Sequence, residues 1–178
     1  MTMRAPAVQG AAPAAAARAR CHAAALALQH TPRRAQLSWH DLAAWPSWAT
    51  AHADDTDALD GLTWTAGVFW HGGAWQWCID GARLQHLRQR LGAASFDALM
   101  AMPQPREAND PLPQGSEADA ALTQWGREVL LAALPAPALR VVLRERLWPH
   151  SLPPVPAPAQ ARAQDAVEHA LRSREPIA

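Results

Sequence analysis

The spacing of apolar side chains along this chain of 178 residues is mostly that of α-helices. Leu84, Leu87 and Leu91 recur at intervals of three and four, which places them on one helix face, and Gly92 stands where that helix should end. Residues 18–30 are rich in alanine and leucine, which have high helix propensity. The pattern predicts a mainly α fold in a small multi-helix domain.

Two further stripes lie in the C-terminal half, on segments joined through Pro135 and Pro137. One consists of Leu122, Trp125 and Val129, and the other of Leu139, Val142, Leu143 and Leu147. These segments are predicted to form two amphipathic helices that pack as a hairpin.

Polar residues mark where several helices should begin. Ser38 with Asp41, and Ser116 with Asp119, have the spacing of a capping box, in which the two side chains satisfy each other's backbone N–H groups. Asp80 is placed to cap the helix that carries Leu84.

The run 62–79 supports two predictions. Its apolar side chains alternate with polar or small ones, and Gly72 and Gly73 then mark a turn, which is the pattern of a β-hairpin. A buried helix from about Asp57 to Trp70 accounts for the same residues, and a hairpin without further strands is only marginally stable. We favour the helix and retain the hairpin as the alternative.

Alanine- and proline-rich stretches set the expected domain organisation. Residues 1–17 are predicted to form a disordered arm, because an Ala/Pro sequence buries too little apolar area to offset ordering of the backbone. A helical domain is expected at 18–148, with a Pro-rich linker at 103–115. Residues 149–178 are predicted to form a Pro-rich spacer followed by a weak C-terminal helix.

The composition combines nine tryptophans with no tyrosine and no lysine. Each indole buries about 150–250 Å² when covered, so the tryptophans indicate a folded core and a binding surface. Sixteen arginines balance sixteen acidic residues. Because phosphate binding needs uncompensated positive charge, nucleic-acid binding is not expected. No apolar run is long enough to predict a membrane span, and the two cysteines do not form a disulfide framework.

No catalytic or metal-binding pattern stands out. His71, Gly72 and Gly73 are similar to the backbone-donor loop of some esterases, but no GxSxG motif accompanies them. A bend between two elements is the simpler interpretation. No metal ion or cofactor is predicted, and a small Ser/His hydrolase assembled from distant residues remains an alternative function.

Trp45, Pro46 and Trp48 form the sharpest aromatic element of the sequence. They are interpreted either as a docking turn for a partner or as core anchors that hold an N-terminal helix.

One segment resembles a known family. It contains Trp77, Cys78, Ile79, Asp80, Gly81, Ala82, Arg83 and Leu84, followed by Leu87, Arg88, Leu91 and Gly92. This run is similar to part of the SctK/YscK/OrgA family of accessory proteins of bacterial type III secretion. Residues 45–48 resemble a Pro-Ser-Trp element of that family, and 126–147 resemble its late helical hairpin. The similar blocks are spread discontinuously over about 40–148.

The resemblance implies a mainly helical, cytoplasmic, non-enzymatic adaptor of the sorting platform, at the cytosolic face of the inner membrane. Members of that family link the cytosolic domain of the inner-membrane ring protein SctD to the pod protein SctQ. The residues expected to contact a partner are Trp45, Pro46 and Trp48, together with a helix face formed by Arg83, Arg88 and Arg90. A secreted effector or an export chaperone of such a system is the alternative, with the N-terminal arm as the export signal.

Overall fold

The computed structural model describes residues 11–29, 31–51, 55–103, 111–149 and 158–174. Within these ranges the chain forms ten α-helices, one short 3-10 helix at Pro32–Gln36 and no strand. The helices are α1 (Ala11–Ala27), α2 (Trp39–Ala43), α3 (Ser47–Ala51), α4 (Thr56–Trp70), α5 (Gly72–Trp75), α6 (Gly81–Leu91), α7 (Ala93–Met100), α8 (Ala118–Ala132), α9 (Pro137–Leu147) and α10 (Gln160–Arg172). The predicted mainly α fold is confirmed.

Two of the predicted caps form. The Ser38 hydroxyl accepts a hydrogen bond from the Asp41 backbone N–H at 3.2 Å, and the Asp41 carboxylate accepts one from the Ser38 N–H at 2.8 Å. Asp80 Oδ1 accepts the Arg83 N–H at 3.1 Å and so begins α6, which ends at Gly92 with a φ of 83°. The capping box at Ser116 does not form, because α8 begins after Glu117 and has no side-chain cap.

The chain divides into two compact units, the first of which comprises residues 1–54 and 136–149. In this unit α1 packs against α2 and α3, and α9 packs against α2 and the 3-10 helix. Arg20 Nε donates to the Ala43 carbonyl at 3.2 Å, and Arg33 Nε lies 3.4 Å from Glu145 Oε2. Its buried apolar side chains include Cys21, Ala24, Leu28, Trp45, Trp48, Leu139, Val142, Leu143 and Trp148.

The second unit, residues 55–135 and 150–178, is built on the crossing of α4 and α8. Gly67 and Gly126 bring the two backbones into contact: a Cβ added to Gly126 would lie 1.6 Å from the Thr63 carbonyl oxygen. Helix α10 covers both α4 and α8. Its Arg162 stacks 3.9 Å from the Trp70 ring and donates to the Trp70 carbonyl at 2.7 Å.

The hairpin alternative for 62–79 is wrong, because the backbone is helical up to Trp70 and again at Gly72–Trp75. The residues of α4 from Leu62 to Trp70 are all buried, so the segment is buried on both faces. When every position is buried, the order of apolar and polar residues along the segment does not distinguish the helical period from the strand period.

The N-terminal boundary also differs from the prediction. Helix α1 begins at Ala11, so the predicted disorder does not extend over 11–17; residues 1–10 lie outside the described residues. Alanine is the strongest helix former, and Pro13 falls in the first turn, where its missing N–H has no helical partner to lose.

The helical domain predicted at 18–148 includes residues of both compact units. The linker at 103–115 joins α7 and α8 within one unit; its residues 111–114 are not helical, and 104–110 lie outside the described part. Helices α8 and α9, predicted as a hairpin, belong to different units. The spacer residues 150–157 are not described, and the last helix is an integral layer of the second unit.

Candidate interaction groove

A groove of about 880 Å³ opens on the surface of the second unit. We call it the α6–α8 groove, because its walls are α6 and the start of α8, together with the segments 74–80 and 111–116. The lining side chains include Trp64, Trp75, Trp77, Ile79, Arg83, His86, Leu87, Leu112, Asp119 and Leu122. Its volume lies within the range of about 300–1,000 Å³ that is typical of ligand pockets.

The floor of the groove is apolar and fixed in position. The Trp64 and Trp75 side chains are almost fully buried, and their indole N–H groups donate to Asp119 Oδ1 at 3.0 Å and to the Val68 carbonyl at 3.2 Å. Leu122 on α8 is also buried. The indole N–H groups are thus satisfied within the unit, and these side chains form the buried base of the groove, not an open surface.

One edge of the groove exposes two large apolar side chains. Trp77 is 68% exposed and Ile79 is 100% exposed, in the turn between α5 and α6. Gln76 holds this turn in place, since its Nε2 donates to the carbonyls of Met100 at 3.2 Å and Met102 at 2.7 Å. Exposed apolar side chains grouped beside a concave surface are typical of interaction sites.

Two of the predicted arginines line or border this groove. Arg83 stacks over the Trp75 ring at 4.9 Å and donates to the Pro113 carbonyl. Arg90 stacks over Trp64 at 3.9 Å, and its Nη1 lies 2.5 Å from Asp119 Oδ2. Both guanidinium groups are therefore held by cation–π contacts and by hydrogen bonds.

The third predicted arginine lies on another side of α6. Arg83 and Arg90 are seven positions apart and share a face, whereas Arg88 lies about 140° around the helix from Arg83. Arg88 stacks over Phe96 at 5.7 Å and lines a separate depression of about 590 Å³ between α6 and α7. The expected single face of three arginines is thus corrected to two faces.

The predicted aromatic element at 45–48 lies in the first unit. Trp45 and Trp48 are 2% and 4% exposed, and Trp45 Nε1 donates to Thr50 Oγ1 at 2.9 Å. Pro46 is half-buried between them. The structure thus favours core anchors over a docking turn, because neither indole presents a surface.

Trp77 and Ile79 are not among the predicted site residues, although both belong to the segment that carries the family resemblance. The available signal was their position, since two large apolar residues directly precede the helix cap Asp80, where a polar turn is usual. The opposite wall of the groove is formed by Asp119 and Leu122. Tertiary packing brings these residues to the groove, and no local sequence pattern predicts it.

His71, Gly72 and Gly73, which are similar in sequence to an esterase loop, occupy structural positions in the fold. His71 is buried at the C-terminal end of α4, with its ring edge-on to Trp125 at a centroid distance of 6.2 Å. Gly72 and Gly73 begin α5, which makes them the bend between two helices. Among the described residues no group of three His, Cys, Asp or Glu side chains is placed to hold a metal ion. No helix within those residues has the length and apolar character needed to cross a bilayer.

Comparison of the chain with protein-family models, with curated proteins and with solved structures finds no match.

Proposed function

We propose that this protein is a non-enzymatic adaptor that binds other proteins through the α6–α8 groove. The observation that carries the proposal is the pair of large apolar side chains, Trp77 and Ile79, that are exposed at the edge of a concave surface. Aromatic side chains in and beside a concave surface are characteristic of the residues that dominate binding energy at protein interfaces. The arginine contacts with Trp64 and Trp75 support the same role, because rigid side chains lose little conformational entropy on binding.

The proposed setting is the sorting platform of a bacterial type III secretion system, at the cytosolic face of the inner membrane. The support is the resemblance to the SctK/YscK/OrgA family, whose similar segment at 77–92 provides one edge and one wall of the groove. In this setting the chain links the pod protein SctQ to the cytosolic domain of the ring protein SctD.

The test is co-purification from a secreting host. The tagged full-length chain is expected to recover SctQ and the cytosolic domain of SctD, and deletion of the gene is expected to stop secretion while the membrane rings still assemble. Replacing the exposed groove residues, Trp77→Ser with Ile79→Ser, should weaken binding of at least one partner by about thirtyfold or more, since hot-spot side chains contribute about 2 kcal/mol or more.

The matched control is Trp39→Ser, because Trp39 is similarly exposed, at 62%, but belongs to the first unit. It is expected to leave recovery unchanged. Recovery of neither partner by the wild-type chain would contradict the proposal. Secretion of the chain itself into the culture medium would contradict it in favour of an effector.

A further inference from the structure

The formal charges of the chain are divided unequally between the two compact units. The described residues of the first unit contain seven arginines and two acidic residues, a formal excess of five positive charges. Those of the second unit contain seven arginines and ten acidic residues. The net charge of zero therefore combines a basic unit with an acidic one, and the first unit is the one whose charge attracts an anionic partner.

Four arginines of the first unit are exposed: Arg18 and Arg20 on α1, and Arg33 and Arg34 on the 3-10 helix. Arg33 lies 3.4 Å from Glu145 and is paired with it. The other three form no ion pair with a carboxylate in the part of the chain that the structure describes. Asp41, the single acid described between positions 11 and 51, accepts the hydrogen bonds of Ser38 as its capping partner. Most of the positive charge on these elements is thus uncompensated.

Large apolar side chains are exposed on the same part of the unit. Leu26 is 57% exposed and lies within about 80° of Arg18 around α1. Trp39 is 62% exposed at the start of α2, five positions after Arg34, and α2 packs against α1. Exposed arginines and exposed apolar side chains therefore occur together on α1 and on the segment 32–39.

An anionic bilayer matches this combination. Its headgroups attract arginine, and tryptophan is enriched at the boundary between headgroups and acyl chains because its ring is apolar and its N–H is polar. Duplex nucleic acid also offers phosphates, but it has no apolar layer for Leu26 and Trp39. We propose that the first unit binds the surface of a membrane that contains anionic lipids, with its exposed arginines at the headgroups and Trp39 inserted between them. This inference goes beyond the adaptor function and does not depend on the groove, which belongs to the second unit.

The test is flotation of the full-length chain with vesicles of phosphatidylcholine alone and of phosphatidylcholine mixed with phosphatidylglycerol. Binding to the mixed vesicles is expected to be at least about tenfold tighter, since each arginine near an anionic surface contributes about fivefold. The advantage should shrink as salt rises, because screening shortens the range of the attraction.

Variants assign the binding to the first unit. Arg18→Gln with Arg34→Gln should weaken binding to the mixed vesicles by about twentyfold, and Trp39→Ser should weaken it by about tenfold through loss of apolar insertion. The matched controls lie in the second unit: Arg172→Gln removes an exposed arginine, and Trp77→Ser removes an indole that is 68% exposed. Both controls should bind as the wild type does. Circular dichroism verifies that each variant is folded.

Three results would overturn the inference. The first is equal binding to the two kinds of vesicle, or binding to neither. The second is release of the chain from mixed vesicles by duplex DNA at an equal concentration of phosphate, which would identify nucleic acid as the better ligand. The third is a loss of binding in Trp77→Ser as large as that in Trp39→Ser. None of these results bears on the adaptor proposal, whose test uses the groove variant and the recovery of SctQ and SctD.

Discussion

Gly67 and Gly126 determine how closely α4 and α8 approach. A Cβ on Gly126 would lie 1.6 Å from the Thr63 carbonyl oxygen and 2.9 Å from the Gly67 backbone nitrogen. Both neighbours are backbone atoms in buried helices, so they cannot move aside as the end of a flexible side chain can. The crossing therefore requires glycine at position 126, because there is no space for a Cβ atom.

Gly126→Ala is expected to lower the free energy of unfolding by about 3 kcal/mol, the upper range for overpacking of a core. Urea denaturation followed by circular dichroism measures the change. Gly81→Ala is the matched control, because a Cβ there meets nothing within 4 Å at the start of α6. It should be neutral or stabilising by up to about 1 kcal/mol. Equal losses in the two variants would contradict this account of the crossing.

The Ser38–Asp41 capping box makes stability depend on pH. The side-chain and backbone hydrogen bonds from Ser38 lower the pKa of Asp41 below its ordinary value of 3.8. Because the folded state favours the ionised form, the Asp41 carboxylate stabilises the fold. This stabilisation is complete above pH 3.8 and is lost as pH falls through the lower pKa of folded Asp41.

Ser38→Ala is expected to lower stability by about 1 kcal/mol at neutral pH, the usual cost of losing an N-cap. The difference in thermal unfolding between variant and wild type should narrow as the pH drops below 3.8, but it should not vanish, because the Ser38 hydroxyl still accepts the Asp41 N–H when the carboxyl is protonated. Ser173→Ala is the control, since the Ser173 hydroxyl donates to the Ala170 carbonyl and involves no carboxylate. A Ser38→Ala effect that does not vary with pH would show that Asp41 has no part in the cap.

At the scale of elements, the sequence predicted helices best where polar caps and one-sided stripes coincide. Helix α6 illustrates this, with Asp80 at its start and Gly92 at its end. Where an element is buried on every side, as α4 is from Leu62 to Trp70, no periodicity remains to separate helix from strand. The interpretation of Trp45 was ambiguous for a related reason, because an indole suits a core and an interface equally well.

Helix α10 shows a second limit of sequence reasoning. Its buried side chains are Ala163, Ala166, Val167 and Ala170, so its apolar face is small and predicts only weak packing. The contacts that attach it include Arg162 on Trp70 and His169 stacked on Phe69 at 5.4 Å. These contacts join residues 92 and 100 positions apart and leave no local pattern.

Arg162→Gln is expected to release α10, because it removes the cation–π contact and the charged hydrogen bond to the Trp70 carbonyl, worth about 1–3 kcal/mol together. Hydrogen exchange should accelerate in the amides of α10 more than in those of α4. Arg172→Gln breaks only an exposed pair with Glu168 and should change exchange by less than about fivefold. Unchanged exchange in Arg162→Gln would mean that the small apolar face alone holds the helix.

At the scale of the whole molecule, net charge and exposed apolar surface act together. The formal net charge is zero and the isoelectric point is about 7.1. Electrostatic repulsion between copies is then weakest near neutral pH, where exposed apolar side chains can associate.

Solubility is therefore expected to pass through a minimum near pH 7.1 and to rise on either side. Light scattering at increasing protein concentration measures this. The double variant Trp77→Ser with Ile79→Ser should be more soluble than the wild type at this pH, whereas Gly81→Ala should not. A variant that scatters as strongly as the wild type would show that self-association uses another surface.

The segment at 77–92, which carries the family resemblance, provides one wall of the groove, but the groove itself is a property of the folded unit. It exists only because α8 places Asp119 and Leu122 opposite α6, and no local signal links residues so far apart in sequence. The prediction that Arg83, Arg88 and Arg90 share one face was wrong for a local reason, because the geometry of helix α6 alone separates Arg88 from Arg83.

The unequal burial of the indoles has a practical consequence. All nine tryptophans are described, and only Trp39 and Trp77 are more than half exposed, one in each unit. A collisional quencher such as iodide should therefore reach these two fluorophores first. In a Trp39→Phe background the quenchable emission would come mainly from Trp77, so the chain carries its own optical reporter of whether the groove is empty or filled.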